Sequence, residues 1–275
     1  MSGLTRRDFL KISGAAATSL LPGCMTQPSA PAKPIGRVIV IGGGFGGATA
    51  AKYLRMWSGG AVEVFLIERN AEFISCPTSN LVLGGTKAMG DITRSYARLR
   101  DYGVQVLRDE ATAIDVEKKK VSLKRIEDLP YDRLIVSPAV DLMHDQIEGY
   151  DAEAQKTILH AWSAGPETVA LRQQLEAMPD GGVYILSVPR APYRCPPGPY
   201  ERACQVAFYF KQAKPRSKVI ILDANEDVVS KPALFKAAWN DLYKGMIEYR
   251  GNSEVKAVDA RAKTVKTDFD TINRS

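Results

Sequence analysis

The sequence predicts an α/β protein containing two Rossmann-like nucleotide-binding domains, and three observations predict it. Arg37-Val38-Ile39-Val40-Ile41, an apolar β-branched run, leads straight into Gly42-Gly43-Gly44-Phe45-Gly46-Gly47 and then into a helical stretch. A second such run, Val62-Glu63-Val64-Phe65-Leu66-Ile67-Glu68, ends on an acid about twenty residues past the glycines. The order strand, helix, strand then returns at Val183–Val188, residues 200–211 and Lys218–Asp223.

The bulk numbers set the frame. A chain of 275 residues has room for two domains. With 45% hydrophobic and 25% charged residues it has an ordinary globular composition, not that of a disordered chain or a membrane bundle. The net charge is +6, of which residues 1–24 carry +2, leaving +4 scattered over the remainder. That describes a solvated surface and gives no reason to expect nucleic acid as a partner. The four cysteines, Cys24, Cys76, Cys195 and Cys204, form no CxxC pair, which argues against a zinc ribbon or a thioredoxin-type motif. His144 and His160 are far apart in sequence, in no ligand-like spacing, and read as structural or surface residues, so no metal is expected.

The first thirty residues read as a signal and linker. Thr5-Arg6-Arg7-Asp8-Phe9-Leu10-Lys11 is a twin-arginine pattern, and residues 12–21 are apolar and small but too few to span a bilayer. Such a layout predicts a cleaved export signal and a periplasmic location. Leu21-Pro22-Gly23-Cys24 also resembles a lipoprotein cleavage box, in which Cys24 would carry a lipid anchor. Proline is unusual there, and the other reading removes Cys24 with the signal. Residues 27–34, rich in Pro, Ser and Ala, form the linker.

Residues 35–142 read as the first segment of a dinucleotide-binding domain. Gly42, Gly44 and Gly47 occupy the three fingerprint positions. Gly42 makes the tight turn, Gly44 lets backbone approach a pyrophosphate, and Gly47 lets the helix of residues 48–56 pack on the strand. The helix N-terminus faces the phosphate, and Glu68 accepts hydrogen bonds from ribose hydroxyls. This motif alone does not separate FAD from NAD.

Residues 143–260 read as a second Rossmann-like domain without the fingerprint. Its first strand is followed by Pro189-Arg190-Ala191-Pro192-Tyr193-Arg194-Cys195, with no close-approach glycine, so NAD(P)H is not expected as a donor. Cys195, just ahead of a helix and beside Arg194, reads as a reactive thiol. Cys204 lies nine residues on, within that helix, and reads as a core-face residue. Glu201 in the first turn is either a proton relay or a favourable charge at a helix N-terminus. Asp223 ends its strand as Glu68 does, but without glycines reads as a turn or capping residue. Residue chemistry alone makes Cys76 an inert buried cysteine. Residues 261–275 read as the start of a return to the first domain.

Several stretches carry a resemblance. They are Ser75-Cys76-Pro77-Thr78-Ser79-Asn80-Leu81-Val82-Leu83-Gly84-Gly85, Tyr131-Asp132-Arg133-Leu134-Ile135-Val136, Ile147-Glu148-Gly149-Tyr150, His160-Ala161-Trp162-Ser163-Ala164-Gly165-Pro166, and, most diagnostic, Tyr193-Arg194-Cys195-Pro196-Pro197-Gly198-Pro199-Tyr200-Glu201-Arg202. Through them, from about Gly36 onward, the chain resembles the flavoprotein subunit of flavocytochrome c sulfide dehydrogenase. That family belongs to the FAD-dependent pyridine nucleotide-disulfide oxidoreductase-like superfamily, with its glutathione-reductase-type fold. The resemblance implies FAD as cofactor, bonded covalently through its 8α-methyl to Cys76. It implies that Cys195 belongs to a redox disulfide whose partner lies further toward the C-terminus, where sulfide is attacked. It also implies a small inorganic sulfur substrate and a c-type cytochrome subunit as electron acceptor.

Two departures stand out. Family members continue further, so the C-terminal part is expected to be absent from this chain. At Ser137-Pro138-Ala139 the wider superfamily usually has glycine in the last position, and Ala139 tolerates a positive φ poorly. The rival readings are a sulfide:quinone oxidoreductase-like flavoprotein and an inactive truncated flavin-binding fragment.

Overall fold

A computed structural model describes residues 33–273. The signal, most of the linker and Cys24 lie outside the described residues.

The first unit is built on a four-stranded parallel sheet ordered β5-β2-β1-β9. The chain forms β1 (Gly36–Ile41), α1 (Phe45–Trp57), β2 (Val62–Ile67) and β3 (Glu72–Ile74). It continues through α2 (Ser79–Leu83), α3 (Met89–Ile92), β4 (Thr93–Ser95), α4 (Ala97–Asp101) and β5 (Gln105–Leu107). An antiparallel meander of β6 (Ala111–Asp115), β7 (Lys120–Leu123) and β8 (Leu129–Pro130) follows, and β9 (Arg133–Val136) closes the sheet beside β1. Alternation along β1 and β2 explains the layering. Val38, Val40, Val64 and Leu66 pack toward α1 and its Ala51. Ile39, Phe65 and Ile67 point the other way, onto Val121 of the meander. Each of these side chains is 9% exposed or less, and burying one stabilises the fold by about 2 kcal/mol.

The second unit repeats the plan. Residues 141–165 connect, and α5 (Pro166–Ala177) leads to β10 (Val183–Val188), α6 (Gly198–Ala213) and β11 (Lys218–Asp223). Then come α7 (Pro232–Asp241), β12 (Ile247–Arg250), β13 (Val255–Asp259), β14 (Thr264–Thr267) and β15 (Thr271–Asn273). Strands β10, β11 and β12 form a parallel sheet. Helices α6 and α7 cover one face, with Tyr200, Val206, Phe210 and Trp239 in the core. On the other face the β13-β14-β15 meander sets Val255, Val258, Val265 and Ile272 against Ile220, Leu222 and Ile185.

Four local expectations shift. Helix α1 starts at Phe45, three residues earlier than the sequence reading, so Gly46 and Gly47 are helical. Helix α6 runs from Gly198 to Ala213, a little longer at both ends. Residues 261–273 do not begin a return to the first unit. They complete the second unit's meander, because their apolar positions face β10 and β11. At 137–139 the chain avoids the left-handed region altogether, since Ala139 has no positive φ. The connecting segment is itself tied down by the meander, with Glu148 N donating to Lys256 O (2.9 Å) and Val258 N to Glu148 O (2.8 Å).

Candidate functional site

The glycine turn between β1 and α1 shows a different need at each fingerprint position. Gly42 has φ +96°, and a side chain there would also collide with the carbonyl of Ser137 where the chain crosses from β9. A Cβ on Gly47 would strike the Gly42 carbonyl, so α1 can lie this close to β1 only with glycine there. Gly44 is the opposite case. Nothing lies within 4 Å of the position its Cβ would take, so packing within the protein does not require glycine. Gly44 is also the N-cap of α1, with no side-chain cap and no acid in the first turn. Uncapped N–H groups and the positive end of the helix therefore border an open space, a cradle fitted to a pyrophosphate.

Glu68 stands at the end of β2 as expected. Its two oxygens accept hydrogen bonds from Gly43 N and Asn70 N, both at 2.7 Å, so the carboxylate is held against the turn. Tyr96 donates to Gly43 O at 3.1 Å, and burial, then the charge of Glu68, raises the pKa of its phenol. The glycines and Glu68 thus gather at one end of the sheet, as FAD binding requires.

Cys76 follows β3 in a turn just ahead of α2. It is exposed, which corrects the residue-only expectation of an inert buried thiol. Its Sγ donates to Trp162 O at 3.0 Å, and its own carbonyl accepts from Ser79 N (3.0 Å) and Ser79 Oγ (2.7 Å). Cys195 comes from the other unit and is also exposed. Its φ of +56° places a side-chain-bearing residue in the left-handed region, and its carbonyl accepts from Gly198 N at 2.9 Å. A Cβ on Gly198 would lie 3.4 Å from Cys195 Sγ and 3.7 Å from Cζ3 of Trp162. Cys76 is therefore hydrogen-bonded to Trp162, while Cys195 and the Trp162 ring both border Gly198.

That meeting point is fastened by Arg202, which is 1% exposed. Its guanidinium lies over the Trp162 ring, 3.4 Å from the centroid. Nε donates to Asn80 Oδ1 (3.0 Å), Nη2 to Ala161 O (2.9 Å) and Nη1 to His160 O. These acceptors are a side-chain amide and two backbone carbonyls rather than a carboxylate. Burial pulls the pKa of Arg202 below its usual value. Asn80 in turn donates to Glu201 Oε2 at 3.1 Å, so α2 of the first unit is bolted to α6 of the second.

The two histidines, unrelated in sequence spacing, come together with ring centroids 5.4 Å apart. Nδ1 of His160 accepts from Trp162 N at 3.0 Å, which requires that nitrogen to be unprotonated. Burial agrees, lowering the His160 pKa against the opposing pull of Glu167. Sequence reasoning gave Trp162, Arg202 and Asn80 no individual role and read His160 only as a structural or surface residue. One signal was readable: Arg202 shares a helix face with Val206 and Phe210, an arginine on an apolar stripe.

The corresponding turn of the second unit is closed. Helix α6 opens with Pro197 at its N-cap and Pro199 in its first turn, and prolines supply no N–H. Asp223 is completely buried and its acceptor capacity is taken up. Tyr200 and Tyr249 hydroxyls donate to Oδ2 (2.7 and 3.1 Å), and Asn225 N and Nδ2 donate to Oδ1 (2.9 and 2.7 Å). Burial, reinforced by Asp223, raises the pKa of both phenols and keeps them donors. No ribose hydroxyl can reach this acid. Cys204 lies half-buried against the α6 core, and burial pushes its thiol pKa up. Among the described residues no group of three or more His, Cys, Asp or Glu could hold a metal ion, and no helix is long and apolar enough to cross a membrane.

Comparison with known proteins adds three findings. Residues 36–162 match the family model for pyridine nucleotide-disulphide oxidoreductases, and residues 168–275 match that for the central part of the sulfide dehydrogenase (flavocytochrome c) flavoprotein chain. Among curated proteins, the chain is similar to the mitochondrial sulfide:quinone oxidoreductase of Dictyostelium discoideum, 22% identical over 254 residues, covering 86% of this chain and 55% of that protein. It is also similar to the sulfide dehydrogenase (flavocytochrome c) flavoprotein chain of Chlorobaculum thiosulfatiphilum, 52% identical over 46 residues, covering 17% of this chain and 94% of that sequence. Among solved structures, the sulfide:quinone oxidoreductase of Aquifex aeolicus superposes with a TM-score of 0.69 at 19% identity, covering 86% of this chain and 56% of that one, a likeness of fold. The chain thus spans little more than half the length of the two sulfide:quinone oxidoreductases.

Proposed function

We propose that the chain, whose two parts match the pyridine nucleotide-disulphide oxidoreductase and sulfide dehydrogenase flavoprotein models, is an FAD-binding oxidoreductase of that superfamily that oxidises sulfide at Cys195 and passes electrons through FAD to a c-type cytochrome subunit. The observation that carries the reading is that Cys76, hydrogen-bonded to Trp162, and Cys195, beside Gly198 next to the same tryptophan's ring, come from different units, while the second nucleotide turn is closed. FAD, when bound, supplies a two-electron acceptor that can release its electrons one at a time. The residues divide the remaining work. Gly44 and the N-terminus of α1 hold the pyrophosphate, and Gly42 and Gly47 shape that turn. Glu68 holds ribose hydroxyls. Cys76, exposed in the loop beyond β3, would hold the flavin covalently through its sulfur.

Cys195 does the sulfur chemistry. Sulfide adds to the sulfur of a disulfide that includes Cys195, forming a new S–S bond as a persulfide and releasing the partner cysteine as a thiolate. The exposed, left-handed position of Cys195 presents its sulfur for that attack. With Asp223 buried and prolines in the turn, NAD(P)H has no seat. The twin-arginine signal sends the protein to the periplasm, with Cys24 either lipidated or lost with the signal.

Acid precipitation of the purified holoprotein, followed by mass analysis of the Cys76 peptide, tests the cofactor assignment. Flavin mass retained at Cys76 is expected. Flavin released intact would remove the covalent link and shift the reading toward quinone-linked relatives. That second reading, a sulfide:quinone oxidoreductase, is favoured by similarity along 86% of the chain. Sulfide-dependent reduction of cytochrome c but not of a soluble quinone is the result expected here. The reverse result would select the rival. Protein that holds FAD yet reduces neither acceptor with sulfide would support an inactive flavin-binding fragment.

A further inference from the structure

Asp223 occupies the strand-end position at which a nicotinamide-binding unit would hold a ribose, yet its hydrogen bonds lead elsewhere. Oδ1 accepts from N and Nδ2 of Asn225. Asn225 then uses its remaining amide proton on Pro189 O (3.0 Å), and its Oδ1 accepts from Ala191 N (2.9 Å). Those two residues begin the loop that carries Cys195. Oδ2 accepts from the Tyr200 hydroxyl, which accepts in turn from the Tyr193 hydroxyl at 3.4 Å. Tyr193 shares its proton with Pro196 O at 3.1 Å, immediately after Cys195. Val229 N also donates to the Tyr200 oxygen, at 3.2 Å, which fixes that phenol in place.

We propose that Asp223 is a positioning residue for Cys195, gripping its loop at the entry through Asn225 and at the exit through Tyr200 and Tyr193. The proposal rests on Cys195 being the sulfur-handling residue. A side-chain-bearing residue at φ +56° persists only where its surroundings hold it, because the left-handed region costs about 1 kcal/mol or more. The carboxylate is completely buried, so the grip is not loosened by competing water. The acid that would select a nucleotide in this fold instead sets the aim of a thiol.

The test compares Tyr193→Phe, which cuts the exit arm, Asn225→Ala, which cuts the entry arm, and Tyr249→Phe. The last removes a hydrogen bond to the same Asp223 oxygen but has no arm to the loop. Each full-length protein is treated with trypsin under native conditions. Cleavage after Arg194 is measured against cleavage after Lys119, an exposed turn residue of the first unit. The two arm variants should raise that ratio by about fivefold or more. They should also lower kcat with sulfide while leaving KM and covalent flavin content unchanged. Tyr249→Phe should lower Tm with the ratio unmoved. A ratio that stays put in both arm variants, or moves equally in Tyr249→Phe, overturns the proposal. A ratio that rises in a protein unable to oxidise sulfide leaves the grip standing and removes only the reading of Cys195.

Discussion

After β1 the chain turns through glycines and leaves the end of α1 open; after β10, at the same place in a second copy of the same layered plan, it turns through prolines, a cysteine and a tyrosine. The acids that end the next strands differ in the same way. Glu68 is partly exposed and accepts only backbone N–H groups, whereas Asp223 is sealed under two tyrosines and Asn225. One scaffold position can therefore be emptied for a ligand or filled by the protein's own side chains. In the first unit glycine creates space for a cofactor. In the second, bulk and hydrogen bonds fill the turn and hold the loop of Cys195.

Substitutions can break or sharpen this contrast. The largest effect belongs to Cys195→Ser, which should lower sulfide-dependent cytochrome reduction by about a thousandfold or more while covalent flavin content stays normal. Wild-type turnover in that variant would sever the second turn from the chemistry. Next is Gly47→Val, whose side chain meets the Gly42 carbonyl and Val40. It should destabilise the first unit by about 3 kcal/mol, measured by urea unfolding. Gly44→Ala sharpens the comparison further. With open space around that position, stability of the flavin-free protein should change by less than about 0.5 kcal/mol, yet FAD affinity should fall by about tenfold or more. Unchanged FAD affinity would mean the pyrophosphate does not approach there.

Two smaller effects concern the filled turn and its neighbour. Tyr200→Phe takes one donor from the buried Asp223 carboxylate and should cost about 2 kcal/mol of stability, read from denaturant unfolding. The smallest involves His160, whose pKa in the folded protein is lowered by burial. The folded state then binds fewer protons than the unfolded chain, so the His160 contribution is complete above the ordinary histidine value of about 6.5 and is lost as pH falls below it. A stability profile over this range should slope down toward acid, and His160→Gln should flatten it.

Local signals made the first unit largely readable. Strands β1 and β2 fall where apolar β-branched runs place them, and their parallel pairing brings Gly42, Gly44, Gly47 and Glu68 to one sheet end. The loop that carries Cys195 was readable because prolines mark it. The junction was not. Asn80 and Arg202 are 122 residues apart, and no pattern within either helix records that they touch. The same limit explains the last strands: only packing shows that β14 and β15 cover the second unit's sheet rather than return to the first. His144 and His160 likewise become neighbours only when the connecting segment folds back.

The Arg202 junction also imposes an order in time. As the chain emerges from its N-terminus, the glycine turn and Glu68 can settle as soon as β2 lies beside β1. The Cys76 loop cannot. Trp162, on whose carbonyl it rests, is made 86 residues later, and Arg202, which holds Trp162, only after strand β10. On the proposed covalent link at Cys76, a flavin would be seated at its phosphate end before that sulfur is in position, and its capture would record that both halves of the molecule had already found each other.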